Sequence, residues 1–289
     1  MKNLVLIAGA AALVPLSAAQ AELAYGVTQQ QRLISFDTAT PGSLSSGLAI
    51  SGLAANEQIM GIDLRPNDGM LYALGSQNNL YRLNTATGAA SLVGALSIPL
   101  NGGNFGFDFN PTGPVALRIV SNTGRNYRLG TPGTSGTVIQ DTDLNYVAGD
   151  SRFGVSPNLT HVAYTNNVVG AASTMLYGID ASQDTLVRFN APNAGTLVTV
   201  GNLGMGSNAD INVLGGFDIS GATGMAFAAT QNVSLSRSTL WGIDLTTGAG
   251  TDLGEIGGGE TLVAFTIVPA PGMLSVFAGG LLLGIRRRR

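Results

Sequence analysis

The 289-residue chain contains no cysteine. Disulfides, thiol nucleophiles and cysteine-ligated zinc are therefore excluded. It has one histidine, His161, which cannot make a multi-histidine metal centre. A lone histidine beside a strand reads as a structural residue, with general-base duty as the alternative. It has one lysine, Lys2. No G-x-S-x-G, Walker or Rossmann fingerprint is present. Gly257-Gly258-Gly259 lacks both the lysine and the following helix of a phosphate loop, and reads as a hinge into the next strand.

Long apolar runs are also missing. Leu4 to Leu16 and Met273 to Ile285 are the apolar stretches at the two ends, and both fall short of the roughly 17–25 residues of a membrane span. The first follows Lys2 and precedes Ala19-Gln20-Ala21. That order of charge, apolar core and small residues is a secretory signal, so residues 1–21 are expected to be removed and the mature chain to begin at Glu22. The second follows Pro269, Ala270 and Pro271 and runs into Arg286, Arg287, Arg288 and Arg289. It reads as a marginal membrane anchor, with the arginines on the cytoplasmic side. Between the signals lie nine arginines and seventeen acids, a net charge near −8. An acidic body disfavours nucleic acid, whose binding depends on Lys and Arg, and is compatible with a cation.

What the chain does contain is a repeat. Met70-Leu71-Tyr72-Ala73-Leu74 leads to Leu80-Tyr81-Arg82-Leu83-Asn84-Thr85-Ala86-Thr87-Gly88, and similar pairs of runs start at Ala24, Met175 and Leu240. Strand-turn-strand units at this spacing mean a propeller, a solenoid or an array. Reading outward from each hairpin gives units of four short strands. Their first strands are Ile59 to Leu64, Phe105 to Phe109, Leu159 to Tyr164 and Gly215 to Ile219. Three strands are left over at the N-terminal end (Leu23 to Val27, Leu33 to Phe36, Leu44 to Ala49), and one at the C-terminal end, Leu262 to Ile267. Pairing these ends completes a fifth unit and closes a ring. The expectation is an all-β propeller of five four-stranded blades over residues 22–268, monomeric, with its edges short and protected. Six blades is the alternative if 141–157 hides further structure.

The triplets Gly61-Ile62-Asp63, Gly106-Phe107-Asp108 and Gly216-Phe217-Asp218 recur on first strands. Period two puts Gly and Asp on one face, and first strands line a propeller's channel. Asp63, Asp108 and Asp218 are thus candidate ligands for a hard cation such as Ca²⁺. The competing and stronger reading hydrogen-bonds each Asp to a neighbouring blade's backbone or Tyr hydroxyl. The ring is incomplete, since His161-Val162-Ala163 and Val263-Ala264-Phe265 take the triplet's place elsewhere. Tyr25, Tyr72, Tyr177, Phe227 and Trp241 recur where a shared core needs them.

Two resemblances add to this. The body, through Gly61-Ile62-Asp63-Leu64-Arg65-Pro66, Leu71-Tyr72-Ala73-Leu74, Gly106-Phe107-Asp108-Phe109-Asn110-Pro111 and Ala163-Tyr164-Thr165-Asn166, resembles the bacterial domain-of-unknown-function 4394 family. That resemblance implies a propeller-like fold and no established activity. Residues 269–289 are similar to a PEP-CTERM sorting signal, with Ala270 where the motif has Glu. This implies an exosortase-type membrane protease as processing partner. It also implies delivery to the cell surface, outer membrane or extracellular matrix. The expected role is non-enzymatic, binding an extracellular polysaccharide or a surface protein. The alternative is a metal-dependent hydrolase or lactonase that uses the three channel Asp residues.

Overall fold

The computed structural model describes residues 21–113, 116–130, 137–205, 213–232 and 236–268. Residues 1–20 of the expected signal peptide and the whole of the expected sorting tail, 269–289, lie outside them. Among the described residues no helix is long and apolar enough to cross a membrane.

Five sheets are formed. Blade 1 holds β1 (Leu23–Thr28), β2 (Arg32–Asp37) and β3 (Leu44–Ala49). Blade 2 holds β4 (Ile59–Leu64), β5 (Leu71–Gly75), β6 (Asn79–Leu83) and β7 (Ala90–Ala95). Blade 3 holds β8 (Phe105–Phe109), β9 (Leu117–Ser121), β10 (Asn126–Leu129) and β11 (Val138–Gln140). A two-residue strand, β12 (Asn145–Tyr146), precedes blade 4, which holds β13 (Leu159–Tyr164), β14 (Leu176–Asp180), β15 (Thr185–Ala191) and β16 (Thr196–Asn202). Blade 5 holds β17 (Gly215–Ile219), β18 (Ala226–Asn232), β19 (Arg237–Ile243) and β20 (Gly250–Glu255). The last strand, β21 (Leu262–Ile267), pairs antiparallel with β1, Ala24 opposite Ile267 and Gly26 opposite Phe265. Blade 1 is therefore built from both ends of the body, in the order β21-β1-β2-β3.

The blades are five, as expected. Residues 141–157 do hide structure, but it is not a sixth blade. β12 lies parallel to β16 and adds a fifth strand to the outer edge of blade 4.

The turns follow from local chemistry. In the two Thr-Gly turns, Asn84 and Asp244 each turn Oδ1 back onto the backbone. Oδ1 of Asn84 accepts from the N–H of Ala86 and Thr87, and that of Asp244 from Thr246 and Thr247. Gly88 and Gly248 then take φ of 74° and 84°, the left-handed region where an L side chain is strained. This is why a run Asn/Asp-x-x-Thr-Gly follows the third strand in blades 2 and 5.

Each of the five apolar cores sits between two neighbouring blades. Blades 1 and 2 share Val27, Leu33, Ile62, Leu71 and Tyr81. Blades 2 and 3 share Tyr72, Leu80, Phe107 and Phe109. Blades 3 and 4 share Val120, Leu159 and Phe189, with Tyr146 of β12 added. Blades 4 and 5 share Ile179, Leu186, Phe217 and Trp241. Blades 5 and 1 share Phe227, Leu240, Ile34, Phe36 and Phe265. Five interfaces for five blades is a closed ring. A fully buried Leu or Phe contributes about 1.5–3 kcal/mol, so both faces of every blade are held. The recurring aromatics are accounted for here. Tyr72, Phe227 and Trp241 are buried core, and Tyr25 and Tyr177 pack against the cores from partly buried positions.

Candidate axial acid site

The innermost strands β21, β4, β8, β13 and β17 stand side by side around the axis. Asp63, Asp108 and Asp218 meet there. Each offers an oxygen within 4.8 Å of the others, and each side chain is 1 % exposed. The sequence-predicted trio is thus brought together at one point.

Each carboxylate reaches across to the next blade. Asp63 Oδ2 accepts the Phe109 N–H at 2.8 Å. Asp108 Oδ1 accepts the Tyr164 N–H at 3.0 Å. Asp218 Oδ2 accepts the Ile267 N–H at 2.7 Å. These contacts put Leu64, Phe109, Tyr164, Ile219 and Ile267 at equivalent positions, one after the acid. The acid's own position is then Asp63, Asp108, Ala163, Asp218 and Thr266 around the ring. Where the preceding blade has no carboxylate, the N–H is taken by its own Asp. Leu64 donates to Asp63 Oδ1 at 2.7 Å and Ile219 to Asp218 Oδ1 at 2.6 Å. Every such backbone donor in the ring except the two served locally is satisfied by a neighbouring blade, as buried N–H groups demand.

This corrects one expectation. The stretch of the closing strand matching the triplet is Ala264-Phe265-Thr266, one residue later than Val263-Ala264-Phe265. Thr266 therefore stands where an Asp stands in three other blades. Its hydroxyl lies 3.0 Å from Asp63 Oδ1 and 2.7 Å from Asp218 Oδ2. A hydroxyl has one hydrogen to donate. The second contact becomes a hydrogen bond only when that carboxyl is protonated and donates to Oγ1.

The electrostatics point the same way. Burial, then the charge of Asp218, pushes Asp63 well above the usual carboxylate range. Burial, then the charges of Asp63 and Asp218, does the same to Asp108. Burial raises Asp218 to about 6, with Glu22 adding to the rise. Like charges this close in a dry site cannot all be ionised. None of the ion pairs among the described residues reaches the trio. The site must hold protons or a cation.

The oxygens fit a cation only in part. Ca²⁺ takes six to eight oxygens, and the trio offers one converging oxygen each. The carboxyls of Asp63 and Asp218 are also already accepting from backbone and Thr266. Shared protons meet the charge without further ligands.

The glycines of the triplet serve packing. A Cβ on Gly61 would stand 2.8 Å from Phe107 Cβ, and one on Gly216 2.7 Å from the Phe265 nitrogen. Both contacts are to the next blade, so the missing side chain lets inner strands close on the axis. In blade 4 His161 takes the glycine's place. It is buried, with Nδ1 2.7 Å from Thr160 Oγ1 and Nε2 without a hydrogen-bond partner. Burial lowers it to about 4, the Leu214 backbone opposing. At neutral pH it is an uncharged ring lining the axis. The cavity it lines, with Gly61, Gly106, Gly216 and Ala264, has a volume of about 20 Å³, room for a water-sized body.

Two features escaped the sequence reading. Above this neck the channel opens into a mouth of about 310 Å³ lined by Gln29, Gln31, Gln58, Asn104, Phe105 and Leu214, among others. No charged side chain lines it among the described residues. The second is Glu57, a buried acid in the loop before β4. It accepts from the Tyr81 hydroxyl, from Asn79 Nδ2 at 2.9 Å and from the Gln77 N–H at 3.1 Å. It pins the β5–β6 turn and has no repeat to announce it.

The family model described as "Domain of unknown function (DUF4394)" matches residues 32–266. The chain belongs to this family. The match takes in strands of all five blades, with Asp63, Asp108, Asp218 and Thr266. No curated protein matches the chain, so the DUF4394 assignment brings no activity with it.

Proposed function

We propose that this DUF4394 propeller is exported, sorted to the cell surface or matrix, and acts there by binding or scaffolding rather than by catalysis. One observation carries the non-enzymatic half. The acid trio is the one convergence of metal-type ligands among the described residues, and it is sealed at 1 % exposure and occupied in clipping blade to blade. The neck above it takes about 20 Å³, whereas small-molecule sites take about 300–1,000 Å³. A hydrolase or lactonase using Asp63, Asp108 and Asp218 would need substrate to reach them, which this enclosure opposes.

The export half rests on the Ala19-Gln20-Ala21 site and on the Pro269-to-Arg289 tail, whose processing partner would be an exosortase-type protease. The binding half is supported by the mouth. Amides of Gln29, Gln58 and Asn104 beside the apolar Met60, Phe105 and Leu214 suit the hydroxyls and C–H faces of a neutral polysaccharide. Val268 donates its N–H to the Leu23 carbonyl at 2.8 Å, so both ends of the body leave from the end of the ring opposite the mouth. A chain held by its tail would present the mouth outward.

Cell fractionation of the tagged full-length chain, with and without Arg286–Arg289 replaced by alanine, tests the sorting. Retention of neutral polysaccharides by the wild-type chain, lost in Gln58→Ala with Asn104→Ala, tests the mouth. Turnover of lactones or glycosides abolished by Asp108→Asn would overturn the reading, and capture of a surface protein alone would replace the ligand.

A further inference from the structure

We infer that the cut after Ala21 does more than release the signal peptide: it creates an ammonium at Glu22 that serves as the missing counter-charge for a buried acid at the base of the ring. The inference rests on the export reading above for the position of the cut.

Glu22 is 1 % exposed, while Ala21 just before it is exposed. Its N–H donates to Thr38 Oγ1 at 3.0 Å, and its carbonyl accepts the Thr38 N–H at 2.9 Å. These bonds fix the nitrogen against blade 1. Its side chain turns to blade 5, where Oε1 accepts the Thr223 hydroxyl at 2.6 Å. Oε2 is buried and has no partner. A carboxylate oxygen left so is costly unless a charge answers it. The titratable groups shown near it are acids. Asp218 feels the Glu22 charge, with Asp63 and Asp108 beyond it, and Asp37 sits opposite Leu23 on β2. Thr38 and Thr223 do not titrate. None of the ion pairs among the described residues involves Glu22.

In the precursor the Glu22 nitrogen is a neutral amide with one hydrogen. After the cut it is an ammonium with three. One keeps the bond to Thr38, and two are new, on an atom a few bonds from the unpartnered carboxyl. Cleavage thus exchanges an acid-only base for a paired one, and the body gains its full stability on maturation.

The sign is set by linkage. An amine that gains a carboxylate partner has its folded pKa raised above the unfolded value of about 7.7. Its stabilisation is fully present below that value and is lost as pH rises through the folded pKa. The test uses two chains ending at Arg289, one beginning at Glu22 with a free amine and one beginning at an acetylated Ala21, melted between pH 6 and pH 10. The free-amine chain is expected to fold with about a tenfold larger constant at pH 7. That is about 1.4 kcal/mol, or roughly 3–6 °C in Tm for a domain of this size. The gap should close at the alkaline end and be absent when both chains carry Glu22→Gln. Equal melting of the two wild-type chains at pH 7 overturns the proposal, with no variant needed. N-terminal sequencing of the protein from producing cells reads the cut separately. A mature chain starting elsewhere removes the export reading at this position and the natural ammonium with it.

Discussion

Replacing Asp108 separates the roles of an axial carboxyl. Its Oδ1 accepts the Tyr164 N–H at 3.0 Å across the blade 3–blade 4 boundary, and its charge is opposed by Asp63 and Asp218. Asparagine keeps the accepting oxygen in place and substitutes an N–H₂ for the repelled oxygen, which can then donate to the neighbouring carboxylates. Alanine removes the acceptor, orphans a buried N–H and leaves a gap. The orphaned group costs about 1–3 kcal/mol, and the gap adds to it. At about 2–4 °C per kcal/mol for a domain of 150–250 residues, a loss of about 2–3 kcal/mol lowers Tm by roughly 4–12 °C. Asp108→Asn is expected to match or exceed the wild type at pH 8, where the trio is most strained, and to lose that advantage at pH 4. Differential scanning calorimetry at both pH values reads all of this. Equal destabilisation by Asn and Ala at pH 8 would refute the argument, because it would mean that the negative charge itself is needed.

Further outcomes follow from the same geometry. The trio binds more protons folded than unfolded, so its contribution to stability should fall as pH rises from about 4 through the Asp218 value of about 6 and beyond; Asn at all three positions should flatten that limb in denaturant titrations. His161 works the other way. Its folded value of about 4 against 6.5 means that stability is lost as pH falls through that window, by about 3 kcal/mol in all, and His161→Gln should remove that loss. Addition of Ca²⁺ or a chelator should leave Tm within error, whereas a clear shift in either direction would mean that an ion answers the charge. Glu57→Gln should cost about 1–3 kcal/mol by weakening three bonds at the β5–β6 turn, read by urea unfolding.

The hairpin repeat and the triplets were legible because both rest on local rules. Strand alternation and Asx turns show in any one unit, and three copies of Gly-x-Asp mark one inner-strand position. The closing strand was harder. Ala264-Phe265-Thr266 has neither the glycine nor the acid, and its register shows only in three dimensions, through the Ile267 N–H on Asp218 and the Thr266 hydroxyl beside Asp63 and Asp218. β12 was hidden because two residues carry no periodicity, and its pairing to β16 is parallel and distant. Glu57 and Glu22 were invisible as sites. Each acts once, through partners brought near by ring closure, and Glu22 reads in sequence only as the first residue after a cleavage motif.

The central claim is that the axial carboxyls are proton-sharing clips that tie blade to blade. Infrared spectroscopy of the purified chain at pH 7, with Asp63→Asn, Asp108→Asn and Asp218→Asn combined as the blank and metal content measured on the same sample, tests it most directly. The account predicts a protonated-carboxyl band that the blank lacks, and no stoichiometric metal. A trio fully ionised around one bound ion per chain would contradict it.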